Sequence, residues 1–150
     1  MTTDPTSAST KVLSDSECWA LLREAPVGRL AVTVDGKPDI FPVNPVVDHG
    51  TIVFRTAAGT KLAAAADRDV AFEIDGYDLK EGAAWSVVVK GTAYQITGKQ
   101  EAARAQTLPL FPWQEGPKTR LVRIEATSVT GRRIAVVGGA RTPVSSNDVG

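Results

Sequence analysis

Apolar residues in this chain recur mostly at every second position, in short runs cut by turn residues, and only briefly at helical spacing. The clearest alternation is Val70-Ala71-Phe72-Glu73-Ile74-Asp75, where Val70, Phe72 and Ile74 face one way and the polar residues the other, the mark of a half-buried strand. Glu73 and Asp75 then share the solvent side. That is ordinary for a strand and unsuited to a glycosidase-type acid and base, which stand opposed across a cleft. Helical spacing is confined to three places. Ser14-Asp15-Ser16-Glu17 carries the capping-box signature, and Trp19, Leu21 and Leu22 follow, so a first helix is expected over about 15–24, stopped by Pro26. Leu62 to Ala66 favours a short helix by its alanines, and residues 100–106 read as another.

The remaining pattern is β. Residues 27–34 form a β-branched run, Asp35-Gly36 is a hairpin signal, and Asp39 to Val47 is the returning strand. Pro42 and Pro45 each remove a ladder donor, so this strand is expected at an edge, at a bulge, or against something other than another strand. Asp48-His49-Gly50 turns into Thr51-Ile52-Val53-Phe54. Trp85 to Ile96 is a long strand with a bulge or kink at Gly91, and a last strand begins at Thr119 and ends near Ile134. Five to seven antiparallel strands with short helices favour a closed or nearly closed barrel, which removes exposed edges. Residues 1–13 read as a flexible arm, 14–137 as one domain, and 138–150 as a disordered tail. Between them, Leu108-Pro109-Leu110-Phe111-Pro112-Trp113 is too apolar to stand in water and is expected against a partner, a ligand or the core.

Composition narrows the chemistry. Seventeen basic residues balance seventeen acidic ones, so no net positive field exists for non-specific nucleic-acid binding, and an anionic ligand needs a local cluster. Cys18 stands alone among apolar neighbours, without a histidine-paired nucleophile arrangement, and reads as a core residue. His49, the single histidine, reads as turn filler, and one histidine with one cysteine makes no zinc site. No signal-peptide core and no run of bilayer length is present, so no membrane partner is expected and the default compartment is cytoplasmic.

The local cluster is Phe54-Arg55-Thr56-Ala57-Ala58-Gly59-Thr60-Lys61-Leu62. A strand delivers Arg55, a glycine permits the turn, and Thr60 and Lys61 stand at a helix start. Arg55 offers a planar fork, Lys61 a point charge and Thr60 a hydroxyl, which together suit phosphate.

These segments, taken with Gly28-Arg29-Leu30-Ala31, Asp35-Gly36-Lys37-Pro38, Phe41-Pro42-Val43-Asn44, Trp85-Ser86-Val87, Lys90-Gly91, Pro112-Trp113 and Gly131-Arg132-Arg133-Ile134, resemble the pyridoxamine 5′-phosphate oxidase-like split-barrel flavoproteins. The likeness covers about residues 14–134. It points to the branch with nitroimidazole-resistance-type reductases and actinobacterial flavin- or deazaflavin-dependent proteins. It implies a mainly β fold, a six-stranded antiparallel split β-barrel, that forms a homodimer with two flavins in the clefts between subunits. By the same resemblance Arg55, Thr56, Thr60 and Lys61 hold the phosphate, the flavin ring lies along Pro42, Val43 and Asn44, and Trp85, Ser86 and Trp113 help close the cleft.

The implied activity is hydride transfer from FMN, or from a deazaflavin coenzyme, to a small planar acceptor; the alternative is a flavin, deazaflavin or haem binding protein without substantial turnover. No catalytic acid or base is assigned. The arginine- and histidine-rich C-terminal motif of true pyridoxamine phosphate oxidases is absent, so vitamin B6 oxidation is not expected. Arg29, Lys37 and Arg68, which could hold a deazaflavin's acidic tail, read as solvated surface charge.

Overall fold

The fold is given by a computed structural model that describes residues 9–57, 65–105, 107–109 and 119–135. Ten elements follow in order: β1 (Ser9–Val12), α1 (Asp15–Glu24), β2 (Gly28–Val34), β3 (Lys37–Val43), β4 (Val46–Asp48), β5 (Thr51–Ala57), β6 (Asp69–Asp78), β7 (Ala83–Gln95), α2 (Lys99–Ala105) and β8 (Thr119–Ala135).

All eight strands join one antiparallel sheet in the order β3-β2-β6-β7-β8-β5-β4, with β1 added along β8. Buried residues of six strands, Leu30, Val43, Ile52, Phe54, Phe72, Val87 and Ile124, belong to one cluster against which half-buried Val47 of β4 packs, so the sheet wraps round its own core. The terminal strands β3 and β4 are not paired with each other, and the barrel stays split. Helix α1 contributes Cys18 and Leu22 to the same core. It lies so close to β8 that a Cβ placed on Gly131 would stand 2.6 Å from Cys18 Sγ.

Local signals act as expected at α1 and at the first hairpin. Ser14 Oγ accepts from Glu17 N at 3.2 Å and Glu17 Oε1 accepts from Ser14 N at 3.1 Å, closing the capping box. Asp35 and Gly36 have φ of 53° and 74°, the left-handed pair that a two-residue hairpin needs to match strand twist.

The strand count and boundaries differ from the sequence reading in two places. Residues 39–47 form two strands, because Asn44-Pro45 breaks pairing: β3 is bonded only to β2, and β4 only to β5. The last strand runs from Thr119 to Ala135 as expected, and pairs with β1, β5 and β7. Ser9–Val12, read as part of an arm, lies antiparallel to Arg132–Ala135. The expected bulge at Gly91 is present, with a register shift between Lys90 and Gly91. Residues 62–64 of the expected Leu62–Ala66 helix, Gln106, residues 110–113 of the apolar loop and the 138–150 tail fall outside the described residues. Among the described residues no helix is long and apolar enough to cross a membrane.

Candidate functional site

Side chains alternate along a strand, so neighbours in sequence part company in space. On β5, Phe54 and Thr56 point into the barrel, and Thr56 is buried at 8% exposure. Arg55 points the other way, the side of Val53, which packs with Ile96, Leu121 and Ala102 in a second apolar cluster. Opposite Leu121 of β8, Arg55 is half-buried, and its Nε is fully buried with no hydrogen-bond partner among the described residues. A buried guanidinium nitrogen without an acceptor is costly, and an anion supplied from outside would satisfy it. That orphaned donor fits a phosphate-bearing cofactor. Thr60 and Lys61, its expected companions, lie outside the described residues, as does Trp113.

The expected ring-binding strand is divided. Val43 belongs to the core at 3% exposure, whereas Pro42 is exposed on the outer face beside Arg29. Asn44 Nδ2 donates to the Pro26 carbonyl at 2.7 Å, tying the β3–β4 break to the end of α1. A groove of about 500 Å³ beside Asn44 is lined by Pro45, Val46, Val47, Arg23, Glu24 and Pro109.

Trp85 and Ser86 lie elsewhere. Ser86 pairs with Arg132 of β8, eleven positions along that strand from Leu121, or about 35 Å of extended chain from the level of Arg55. The two residues also face opposite sides. Trp85 packs on Gly76, where a Cβ would stand 2.6 Å from the indole, and Arg133 lies over its ring at 5.7 Å. Ser86 stands on the outer face with Asp75 and Arg132. One protomer therefore leaves Trp85 and Ser86 far along β8 from Arg55, and Asn44 is held at the end of α1.

The fold assembles two charged clusters. In the first, the buried Asp48 carboxylate accepts from Arg123 Nη1 at 3.0 Å and from Arg104 Nη2 at 3.0 Å, and stands 2.8 Å from His49 Nδ1. Arg123 also donates to Thr51 Oγ1 at 2.6 Å and to Glu101 Oε1 at 3.0 Å, so α2 is fastened to β4, β5 and β8. Burial pushes the Asp48 carboxyl up, but the bonds from Arg123 and His49 and the Arg104 charge outweigh it and leave it below its usual 3.8. In the second cluster, on the outer face of β6, Arg29 Nη1 reaches Asp75 at 3.3 Å and Glu73 at 3.8 Å. Glu73 Oε1 is buried without a hydrogen bond, and its carboxyl is pushed up to about 7, by burial first and then by Asp75, against the pull of Arg29. Period-two alternation pointed to the shared face of Glu73 and Asp75. Their partner on β2, Arg29, is set by strand order, which carries no local signal.

Cys18 has no access to solvent, and burial, then Asp15 and Glu17, push its thiol up, which disfavours the thiolate a nucleophile needs.

Comparison with known proteins agrees with this architecture. A family model described as pyridoxamine 5′-phosphate oxidase matches residues 14–133. An uncharacterised protein of Mycobacterium tuberculosis is 38% identical over 137 residues, 87% of this chain and 88% of the relative. The FAD binding protein of Mycobacterium smegmatis is 44% identical, with a TM-score of 0.75 over 83% of this chain and 98% of the other. A Corynebacterium diphtheriae protein of unknown function is 38% identical, with a TM-score of 0.71 over 86% of this chain and 98% of its own.

Proposed function

Because the chain belongs to the pyridoxamine 5′-phosphate oxidase-like family, we propose that it binds a flavin nucleotide with Arg55 at the phosphate and serves as a flavin-dependent oxidoreductase. The observation that carries this reading is the buried Arg55 Nε without an acceptor. The name of the 44% identical relative supports FAD beside FMN, and the deazaflavin coenzyme remains the third cofactor of the proposal. A bound flavin supplies hydride or electron transfer to a small planar acceptor such as a nitroaromatic or a quinone.

The chain's own residues bind and orient. Arg55 provides the charge-assisted donor, with Thr56 beside it in sequence and Thr60 and Lys61 assigned to the same phosphate by the family likeness. Asn44, held by Pro26, fixes the β3–β4 break, and the groove beside it offers apolar walls that exclude water from a planar ring. Pro42 and Ser86 lie on a face that one protomer leaves open, which supports a cleft shared by two copies. No side chain of the described site is placed as a proton donor, so the reading assigns the redox step to the cofactor.

Titration of cofactor-stripped protein with FMN, FAD and the deazaflavin, followed by absorbance and fluorescence, tests it. Wild type is expected to bind at least one of them, and Arg55→Ala is expected to weaken that binding by about 1.5–3 kcal/mol, the scale of a charge-assisted hydrogen bond. Equal affinity in the variant removes Arg55 from the site. Turnover of the loaded protein with a reductant and a quinone separates an oxidoreductase from a binding protein.

A further inference from the structure

The turn between β4 and β5 brings together three polar atoms that cannot all bond one another. Arg104 Nη2 of α2 lies 3.0 Å from Asp48 Oδ1 and 2.6 Å from His49 Nδ1, and those two atoms are themselves 2.8 Å apart. A neutral imidazole nitrogen either accepts from Arg104 or donates to Asp48, and a protonated one only donates. His49 therefore bonds Arg104 only while Nδ1 is bare, and a charged ring sets two cations side by side. The ring is 83% exposed, so solvent protons reach it directly. Arg123 bonds the other carboxylate oxygen of Asp48 and takes no part in this competition. The remaining charged groups around the turn are Glu101 of α2, bonded to Arg123, and Glu125 of β8, which pairs with Thr51.

Arg104 holds more than its own helix. Its side chain fastens the last turn of α2 to Asp48, and its carbonyl accepts from Thr107 N at 3.1 Å and from Thr107 Oγ1 at 2.6 Å, which directs the chain into Leu108 and Pro109. Leu108 packs with Val53 and Leu121 beside Arg55, and Pro109 lines the groove next to Asn44. Without Arg104, α2 is tied to the sheet by the Glu101–Arg123 bond and by the apolar contact of Ala102. We propose that His49 is a pH-sensitive latch on α2: its protonation drives Arg104 off Asp48 and loosens the Leu108–Pro109 wall of the groove, and its deprotonation fastens that wall again. Histidine is the side chain that ordinarily changes charge between pH 5 and 8. Arg104 and the proton on His49 exclude each other, so closure is favoured as pH rises and opposed as it falls. The latch follows from the distances at Asp48; only its effect on a flavin rests on the proposed function.

Amide hydrogen exchange of the full-length, cofactor-stripped protein tests it, with protection corrected for the intrinsic pH dependence of exchange. The comparison is with His49→Asn, which cannot take the charge and tolerates the φ of 48° at this turn. From pH 8 to pH 5 the protection of α2 amides is expected to fall roughly three- to tenfold further in wild type than in the variant, the scale of one partly exposed ion pair. Amides of β7 are expected to respond alike in both. Glu73, which titrates in the same range, is common to the two proteins and cancels from the comparison. Arg104→Gln is expected to leave α2 loose at both pH values. Equal falls in wild type and His49→Asn, or an Arg104→Gln chain that keeps the wild-type response, overturn the latch. If His49→Asn does not fold by circular dichroism, His49→Gly, which the same φ admits, takes its place. Titration with FMN at the two pH values then reads the wall. Binding that weakens on acidification at least about threefold more in wild type than in the variant supports the coupling, and equal weakening overturns it. Absence of FMN binding in either protein counts against the Arg55 reading, while the exchange data decide the latch.

Discussion

Asp48 and Glu73 are both carboxylates on strands of the same sheet, and they are treated in opposite ways. Asp48 is met by two guanidinium groups and a histidine ring, and its carboxyl is held below the usual value. Glu73 has an acidic neighbour, a single arginine shared with that neighbour, and a buried oxygen that accepts nothing. The first cluster closes on itself and fastens α2 to three strands. The second is incomplete within one protomer. Saturated charge serves the fold, and unsaturated charge at an open face is available to whatever arrives there.

The largest test of this contrast is to open the closed cluster. Arg123→Leu leaves Asp48 buried with its main donor gone, and urea denaturation is expected to show a loss of about 3–5 kcal/mol. A loss under 1 kcal/mol would place Asp48 among surface carboxylates and dissolve the contrast.

A smaller effect sharpens the other side. A lone protomer holds Glu73 at about 7, and the charged groups on its face are Arg29 on β2, Asp75 on β6, Lys90 on β7 and Arg132 on β8. The unfolded chain leaves this carboxyl at its usual 4.5, so the folded protomer holds the proton to higher pH, and the stability that contributes is present below about 4.5 and is lost as pH rises to about 7. Glu73→Gln should flatten that slope in urea denaturation across the range; an unchanged slope would assign it to another group. The smallest effect concerns Lys11, whose ion pair with Glu17 at 3.2 Å is largely exposed. Lys11→Ala should shift stability by less than about 0.5 kcal/mol in the same denaturation assay, as solvent screening dictates.

What could be read from the chain was local. The capping box at Ser14 and Glu17, the Asp35-Gly36 turn and the alternation in 70–75 each span a few residues, and each took the form their spacing implied. Arg55 was legible as a candidate because a cation after an apolar run has few structural uses. Trp85 and Ser86 were grouped by adjacency, and the strand separates them because its period is two. The Asp48–Arg123 bond joins residues 75 positions apart, and β1 finds β8 across more than a hundred; neither leaves a trace in any short window. Strand order decides such contacts, and it depends on the whole chain at once.

One consequence of the topology concerns the order of events during synthesis. β8 follows β1, β5 and β7 in the chain and pairs with all three. Until it emerges, β5 has only three-residue β4 as a neighbour, and β7 shows a bare edge along 13 residues. At about 5–20 residues per second the nascent chain carries these open edges for several seconds, the span over which a growing polypeptide finds wrong partners. A single late strand that completes the sheet makes this a protein whose yield should depend on how well its unfinished edges are shielded while it is being made.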